Sequence, residues 1–203
     1  MKRRVLLLSL IAAGVLWIGT VAAAFEAIRR FEVTPGLPAS APRAWPAAST
    51  VSRTPGQWSL VMLVHPHCSC SRASVQELGA ILEKAPHDLQ TTILVYRPHE
   101  MPQGWERTSV TDAASRLHRA RVVLDADGAQ AAIFGGFTSG QTFLYDADGQ
   151  LRFTGGITSL RGHEGLNRGR ADVIRIASER AGNASHPVFG CAITTPRSQG
   201  GRP

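Results

Sequence analysis

Trp58-Ser-Leu-Val-Met-Leu-Val64 is a short, nearly continuous apolar run that breaks at His65-Pro66-His67 and hands over to a segment with helical spacing. A strand with apolar side chains pointing both ways needs cover on both faces, which places it in the middle of a sheet flanked by helices. The rest of the chain supplies matching parts. From about Ser71, the residues Val75, Leu78 and Leu82 recur at helical spacing and Pro86 closes the segment. Ser69, Ser71 or the Ser74/Glu77 pair each offer a start for that helix. Leu89–Tyr96 reads as a second strand, 97–108 as a loop, Ser109–His118 as a helix and Arg121–Leu124 as a third strand. A brief helix at Ala129–Phe134 and a glycine-rich loop at Gly135–Gly140 follow. Thr142–Tyr145 and Leu151–Gly155 then flank Asp146-Ala-Asp-Gly149, a hairpin signal. Val173, Ile174, Ala177 and Ala181 line one face of a last helix, stopped by Gly182-Asn183. This alternation predicts an α/β sandwich of about 140 residues, parallel in its first strands and with an antiparallel hairpin at one edge.

Ahead of this domain, Lys2-Arg3-Arg4 precede the uncharged stretch Val5–Phe25. A helix of that length spans the ~30 Å hydrocarbon core of a membrane, and the leading cations hold its start in the cytoplasm. Residues 1–30 are therefore expected to be a membrane anchor, with a signal peptide cut near Ala22-Ala23-Ala24 as the alternative. Either way the rest of the chain reaches an oxidising compartment, taken here as a bacterial periplasm bounded by the inner membrane. Residues 31–56 carry Pro35, Pro38, Pro42, Pro46 and Pro55 and read as an extended linker. The domain is expected over 57–185, followed by a flexible tail, 186–203, that carries Cys191. The chain's net charge of +7 sits mostly before residue 57, where seven basic residues face two acidic ones. The domain is nearly balanced, so no nucleic-acid partner is expected.

Cys68-Ser69-Cys70 falls where the buried strand meets the helix. A helix N-terminus stabilises a thiolate, and strand-to-helix turns at the carboxyl end of a sheet are where α/β sites gather. Two cysteines two apart can come within disulfide range, and a bond between them would close too small a loop to stabilise a fold. The pattern points to redox chemistry, with metal binding and an inert pair as the alternatives. Cys191 is the odd cysteine; it offers a resolving thiol for Cys68, an intermolecular pair or a free thiol.

Strand, cysteine pair, helix and the late hairpin Thr142-Phe-Leu-Tyr-Asp-Ala-Asp-Gly-Gln-Leu151 together resemble the thioredoxin superfamily. His65-Pro-His-Cys-Ser-Cys-Ser71, Thr138–Tyr145, Gly155–Gly165 and Phe189-Gly-Cys191 are similar, within it, to membrane-anchored thioredoxin-like proteins of the RedB type. The resemblance implies a three-layer α/β/α sandwich with a mixed sheet, behind one transmembrane helix. It also implies periplasmic thiol–disulfide exchange on a protein substrate, in cytochrome c maturation or a related redox assembly, with no cofactor. The chain departs from the superfamily pattern at Ser71, where the second cysteine of a Cys-x-x-Cys pair would stand, and at Gly140, in the slot of a cis-proline that shields the thiols from metals.

If the hairpin's first strand runs antiparallel to Trp58–Val64, loops 135–141 and 156–169 lie beside the cysteines and bring Arg161 and His163 near. Cys68, nearer the strand end and more exposed, is then the attacking thiolate and Cys70 resolves. His67, Gly140, Gln141 and His163 form the rim that receives the partner. The alternative reading is a thioredoxin-fold copper chaperone with Cys68, Cys70 and His163 as soft-metal ligands. Twelve-residue loops from Asp125 or Asp146 end at Gly136 and Ile157, where a calcium loop needs Glu. His163-Glu164 lacks the second histidine of a zinc-protease helix, and no G-x-S-x-G stands anywhere in the chain.

Overall fold

The computed structural model describes residues 2–193. It divides into a first unit ending at Thr34 and a second beginning at Pro35. The first unit is one helix, α1 (Lys2–Val33), whose side chains are almost all exposed. It is long and apolar enough to cross a membrane. Near its end Glu26 pairs with both Arg29 and Arg30 at 2.7 Å.

The second unit is built on a six-stranded mixed sheet. In chain order its elements are β1 (Ser59–Val64), α2 (Ser71–Lys84), β2 (Gln90–Arg97), α3 (Ser109–Ser115), β3 (Ala120–Ala126), α4 (Ala129–Ile133), β4 (Thr142–Tyr145), β5 (Leu151–Gly155), α5 (Arg168–Glu179) and β6 (Ala184–Ser185). The strand order is β3-β2-β1-β4-β5-β6. The first three strands pair in parallel, β4 runs antiparallel to both β1 and β5, and β6 adds a short edge parallel to β5.

Alternation along β1 divides the core in two. Leu60, Met62 and Val64 face Val75, Leu78 and Ile81 of α2, Val110 and Ala114 of α3, and Val173 and Ile176 of α5. Val61 and Leu63 face the other way, towards Ala131, Phe134, Phe143 and Tyr145. Among the described residues, the helix on this second face is α4, five residues long and too short to cover the sheet.

The cover comes from residues 35–56, which the sequence alone assigns to a linker. They lie against the domain. Ser40 N donates to Gly135 O, Trp45 N to Gly149 O and Leu151 N to Arg43 O, at 2.7–2.8 Å. The Trp45 ring packs edge-on to Phe134 and Tyr145, with centroids 5.1 and 5.3 Å away, and Val51 is buried. Turns closed by Ser49 N to Pro46 O and Gln57 N to Thr54 O bend the segment; the exposed apolar face of the sheet gives it a surface to bury.

The segment after β6 also differs from the flexible tail expected at 186–203. Residues 186–193 are docked, with Val188 and Ile193 buried; residues from 194 on lie outside the described part. Smaller differences are local. α3 ends at Ser115, and α5 is closed by Arg180, whose φ of 55° is left-handed, before Gly182 is reached.

Candidate functional site

Register fixes what meets at the carboxyl end of β1. Met62 faces Thr142, and Thr142 faces Gly155 across the hairpin. Gly140 N donates to Leu63 O and Leu63 N to Gln141 O. The loops before β4 and after β5 therefore lie at the end of β1 that carries the cysteines.

Helix α2 begins at Ser71, with Cys70 as its N-cap residue. The Ser74/Glu77 capping box does not form. Buried Glu77 instead accepts from Gly165 N at 2.6 Å and Asn167 Nδ2 at 3.1 Å and pairs with Arg170 at 2.8 Å, tying the loop before α5 to α2. The turn from β1 into the helix is held by Cys68 N to His65 O and Ser71 N to Cys68 O.

Cys68 is 2% exposed and Cys70 6%, so Cys68 is the more enclosed of the two, against the order expected from sequence. The cause is the docked segment: Cys191 Sγ lies 2.6 Å from Cys68 Sγ, across 123 positions of sequence. That separation is longer than an S–S bond and shorter than ordinary contact between two thiols, and no disulfide joins any of the three cysteines. Burial alone would raise the Cys68 pKa. Hydrogen bonds from the Cys191 thiol and N–H, the Ser71 hydroxyl and the Cys70 N–H outweigh it and hold Cys68 below the ordinary thiol range. Burial, with the charge on Cys68 behind it, pushes Cys70 up. Burial and the hydrogen bond to Cys68 push Cys191 up to about 12. With Cys68 ionised, the Cys191 S–H is the donor between them.

The supply of donors runs deeper. Ser139 Oγ accepts from His65 N at 2.8 Å and stands 2.6 Å from Ser71 Oγ. With Ser139 donating to Ser71, the Ser71 hydroxyl proton is left for Cys68; its other acceptor is His65 O at 3.1 Å. From the loop after β5, the Arg161 guanidinium donates to Gly190 O and favours the thiolates of Cys70 and Cys191.

The remaining candidates fall differently. Gly140 is buried, and Gln141 is turned into the domain, its Nε2 donating to Thr154 Oγ1 at 3.0 Å. Neither forms an open rim, because residues 186–193 lie over that end of the sheet. His163 is exposed on its loop. His67 is exposed too, with Nε2 2.8 Å from Trp105 O and its ring 4.3 Å from the indole. His65 stacks on Tyr96, and burial lowers its pKa. Thr108, which caps α3, also donates to Pro66 O at 3.0 Å and fixes the strand-end turn. Among the described residues, no three or more His, Cys, Asp or Glu side chains are grouped to hold a metal ion. Sequence reasoning named Ser71 as a helix start and as the departure from a Cys-x-x-Cys pair, without its role as a donor to Cys68, and it gave Ser139 no role. It named Cys191 without placing it.

Sheet order, mixed pairing and cover on both faces define a thioredoxin-like α/β fold. No family model and no curated protein matches the sequence. Solved structures do match in shape. A conserved protein from Geobacillus kaustophilus aligns at TM-score 0.55 and 14% identity, over 82% of this chain and 94% of its own. A hypothetical protein from Sinorhizobium meliloti 1021 aligns at 0.53 and 17% identity, over 79% and 94%. A secreted Mycobacterium tuberculosis disulfide oxidoreductase homologous to E. coli DsbE aligns at 0.44 and 14%, over 62% and 83%. These likenesses concern the fold alone.

Proposed function

We propose that the protein is a membrane-anchored thiol–disulfide oxidoreductase that acts outside the cytoplasm on protein disulfides, with Cys68 as the attacking thiolate. The observation that carries this reading is the setting of Cys68. It stands at the strand-to-helix turn of a thioredoxin-like sheet, supplied with hydrogen-bond donors, with a second sulfur 2.6 Å away. A thiolate so placed attacks a substrate disulfide to give a mixed disulfide, which a neighbouring thiol then resolves. The sequence gives that second role to Cys70. The cations ahead of α1 and the apolar length of α1 support an inner-membrane anchor with the domain in the periplasm. A place in cytochrome c maturation or a related assembly, as in RedB-type proteins, has the family resemblance as its support. Copper handling through Cys68, Cys70 and His163 is the weaker reading, since no such ligand group is assembled among the described residues.

The test is disulfide reduction on insulin by the pre-reduced full chain under a dithiol donor. Activity is expected from the wild type and is expected to fall to background in Cys68→Ala. Equal rates in the two proteins would sink the reading.

A further inference from the structure

Residues 186–193 form a strap across the cysteine end of the sheet. His186 N donates to Thr154 O, Gly156 N to Pro187 O, Gly36 N to Val188 O, Ser139 N to Cys191 O and Ile193 N to Phe137 O. Thr138 and Ala192 form an antiparallel bridge, and His186 Nε2 meets Asp172 at 2.8 Å. Two glycines make the seat. A Cβ on Gly190 would stand 2.0 Å from Ser139 O, and one on Gly155, at φ +141°, 2.2 Å from His186 O. Backbone from the strap and backbone from the domain thus touch where any side chain would part them. The strap is built into the domain, and it delivers one sulfur onto Cys68.

We propose that Cys191 is the resolving thiol, so that the disulfide formed in turnover is Cys68–Cys191 and Cys70 stays outside the exchange. This rests on the thiol-exchange reading above. Cys70 is fixed as the N-cap residue of α2 in helical conformation, and although its thiol also hydrogen-bonds Cys68, a disulfide between cysteines two apart closes a small, strained ring. A Cys68–Cys70 bond must distort the turn that starts α2. A Cys68–Cys191 bond asks only that the strap keep its place.

The steps balance. The Cys68 thiolate attacks a substrate disulfide RS–SR′, forming Cys68–S–SR and expelling R′S⁻. The Cys191 thiol gives its proton to R′S⁻ and attacks Cys68 Sγ, forming Cys68–Cys191 and expelling RS⁻, which takes a proton from water. The substrate disulfide is reduced by two electrons, and the two thiols are oxidised. Timing is built in. While Cys68 is ionised, its charge and hydrogen bond help to keep Cys191 protonated. Once Cys68 is in the mixed disulfide both effects vanish, and Cys191 ionises more readily.

The test uses the pre-reduced full chain in detergent with excess oxidised insulin, quenched in acid, blocked with maleimide and mapped by peptide mass spectrometry. The wild type is expected to yield a Cys68–Cys191 bond. Cys191→Ser is expected to accumulate Cys68–insulin mixed disulfide at least about tenfold above wild type, and Cys70→Ser to release it without trapping. Cys191→Ala, with thermal melts of every variant, guards against a folding defect: trapping must occur in protein that melts cooperatively. Trapping in Cys70→Ser with release in Cys191→Ser would overturn the assignment. So would a Cys68–Cys191 bond that excess dithiothreitol leaves intact, which is a structural crosslink. If the wild type reduces no insulin and no variant forms a mixed disulfide, thiol exchange itself fails and this assignment falls with it.

Discussion

Four donors lower the Cys68 pKa against the pull of burial, and the Ser71 hydroxyl is the one that can be removed without touching sulfur or backbone. A hydrogen bond to a charged group is worth about 1.5–3 kcal/mol, and one pKa unit about 1.4 kcal/mol. In Ser71→Ala, therefore, the first thiolate in an ultraviolet titration should appear roughly 1–2 pH units later than in the wild type. The wild-type signal should begin below the ordinary thiol range and be absent from Cys68→Ala. The signs for stability are opposite at the two sulfurs. The lowered pKa of Cys68 adds stability that is full above the unfolded thiol value and lost as pH falls through the folded one. The raised pKa of Cys191 adds stability that is full below the unfolded value and lost as pH rises towards about 12. Cys68-Ser-Cys70 was legible as a reactive junction because the chemistry sits within three residues. Cys191 was legible only as one of three roles, a resolving thiol for Cys68 among them, since nothing near it in sequence says which surface it meets.

Among the elements, the loop before α5 depends on a buried ion pair. Glu77 and Arg170 have side chains only 3% and 14% exposed, and removing one partner strands the other. Glu77→Ala should cost about 3–5 kcal/mol, lowering Tm by roughly 10 °C in a domain of this size, by calorimetry. The strap depends on its glycine seat. Gly190→Ala should raise hydrogen exchange across 186–193 while leaving β1 and β2 protected, because the added methyl meets a carbonyl. Acid should loosen the strap as well. The hydrogen bond from His186 lowers the Asp172 pKa, so that link contributes above the unfolded Asp value of ~3.9 and is lost as pH falls through the folded one. Periodicity found β1, α2 and the hairpin, whose patterns are strong over consecutive residues. It missed β6 and the strap, held largely by backbone hydrogen bonds that leave no pattern of side chains.

For the whole molecule, the two faces of the sheet are covered by different means: three helices on one, a five-residue helix and the segment 35–56 on the other. Trp45 is the largest side chain that segment brings, and it is partly buried. Trp45→Ala should cost about 2–3 kcal/mol, less than the ~3–5 of a fully buried tryptophan, read as a lower urea midpoint with an unchanged slope. The sequence's proline content predicts an extended segment; only the area α4 leaves bare says where it lies. The strap that crosses this end of the domain is gripped by peptide groups, which every residue but proline carries alike. A library randomised across 187–192 should then accept many substitutions at Pro187, Phe189 and Ala192 and almost none at Gly190, a tolerance map dictated by clearance at a single crossing.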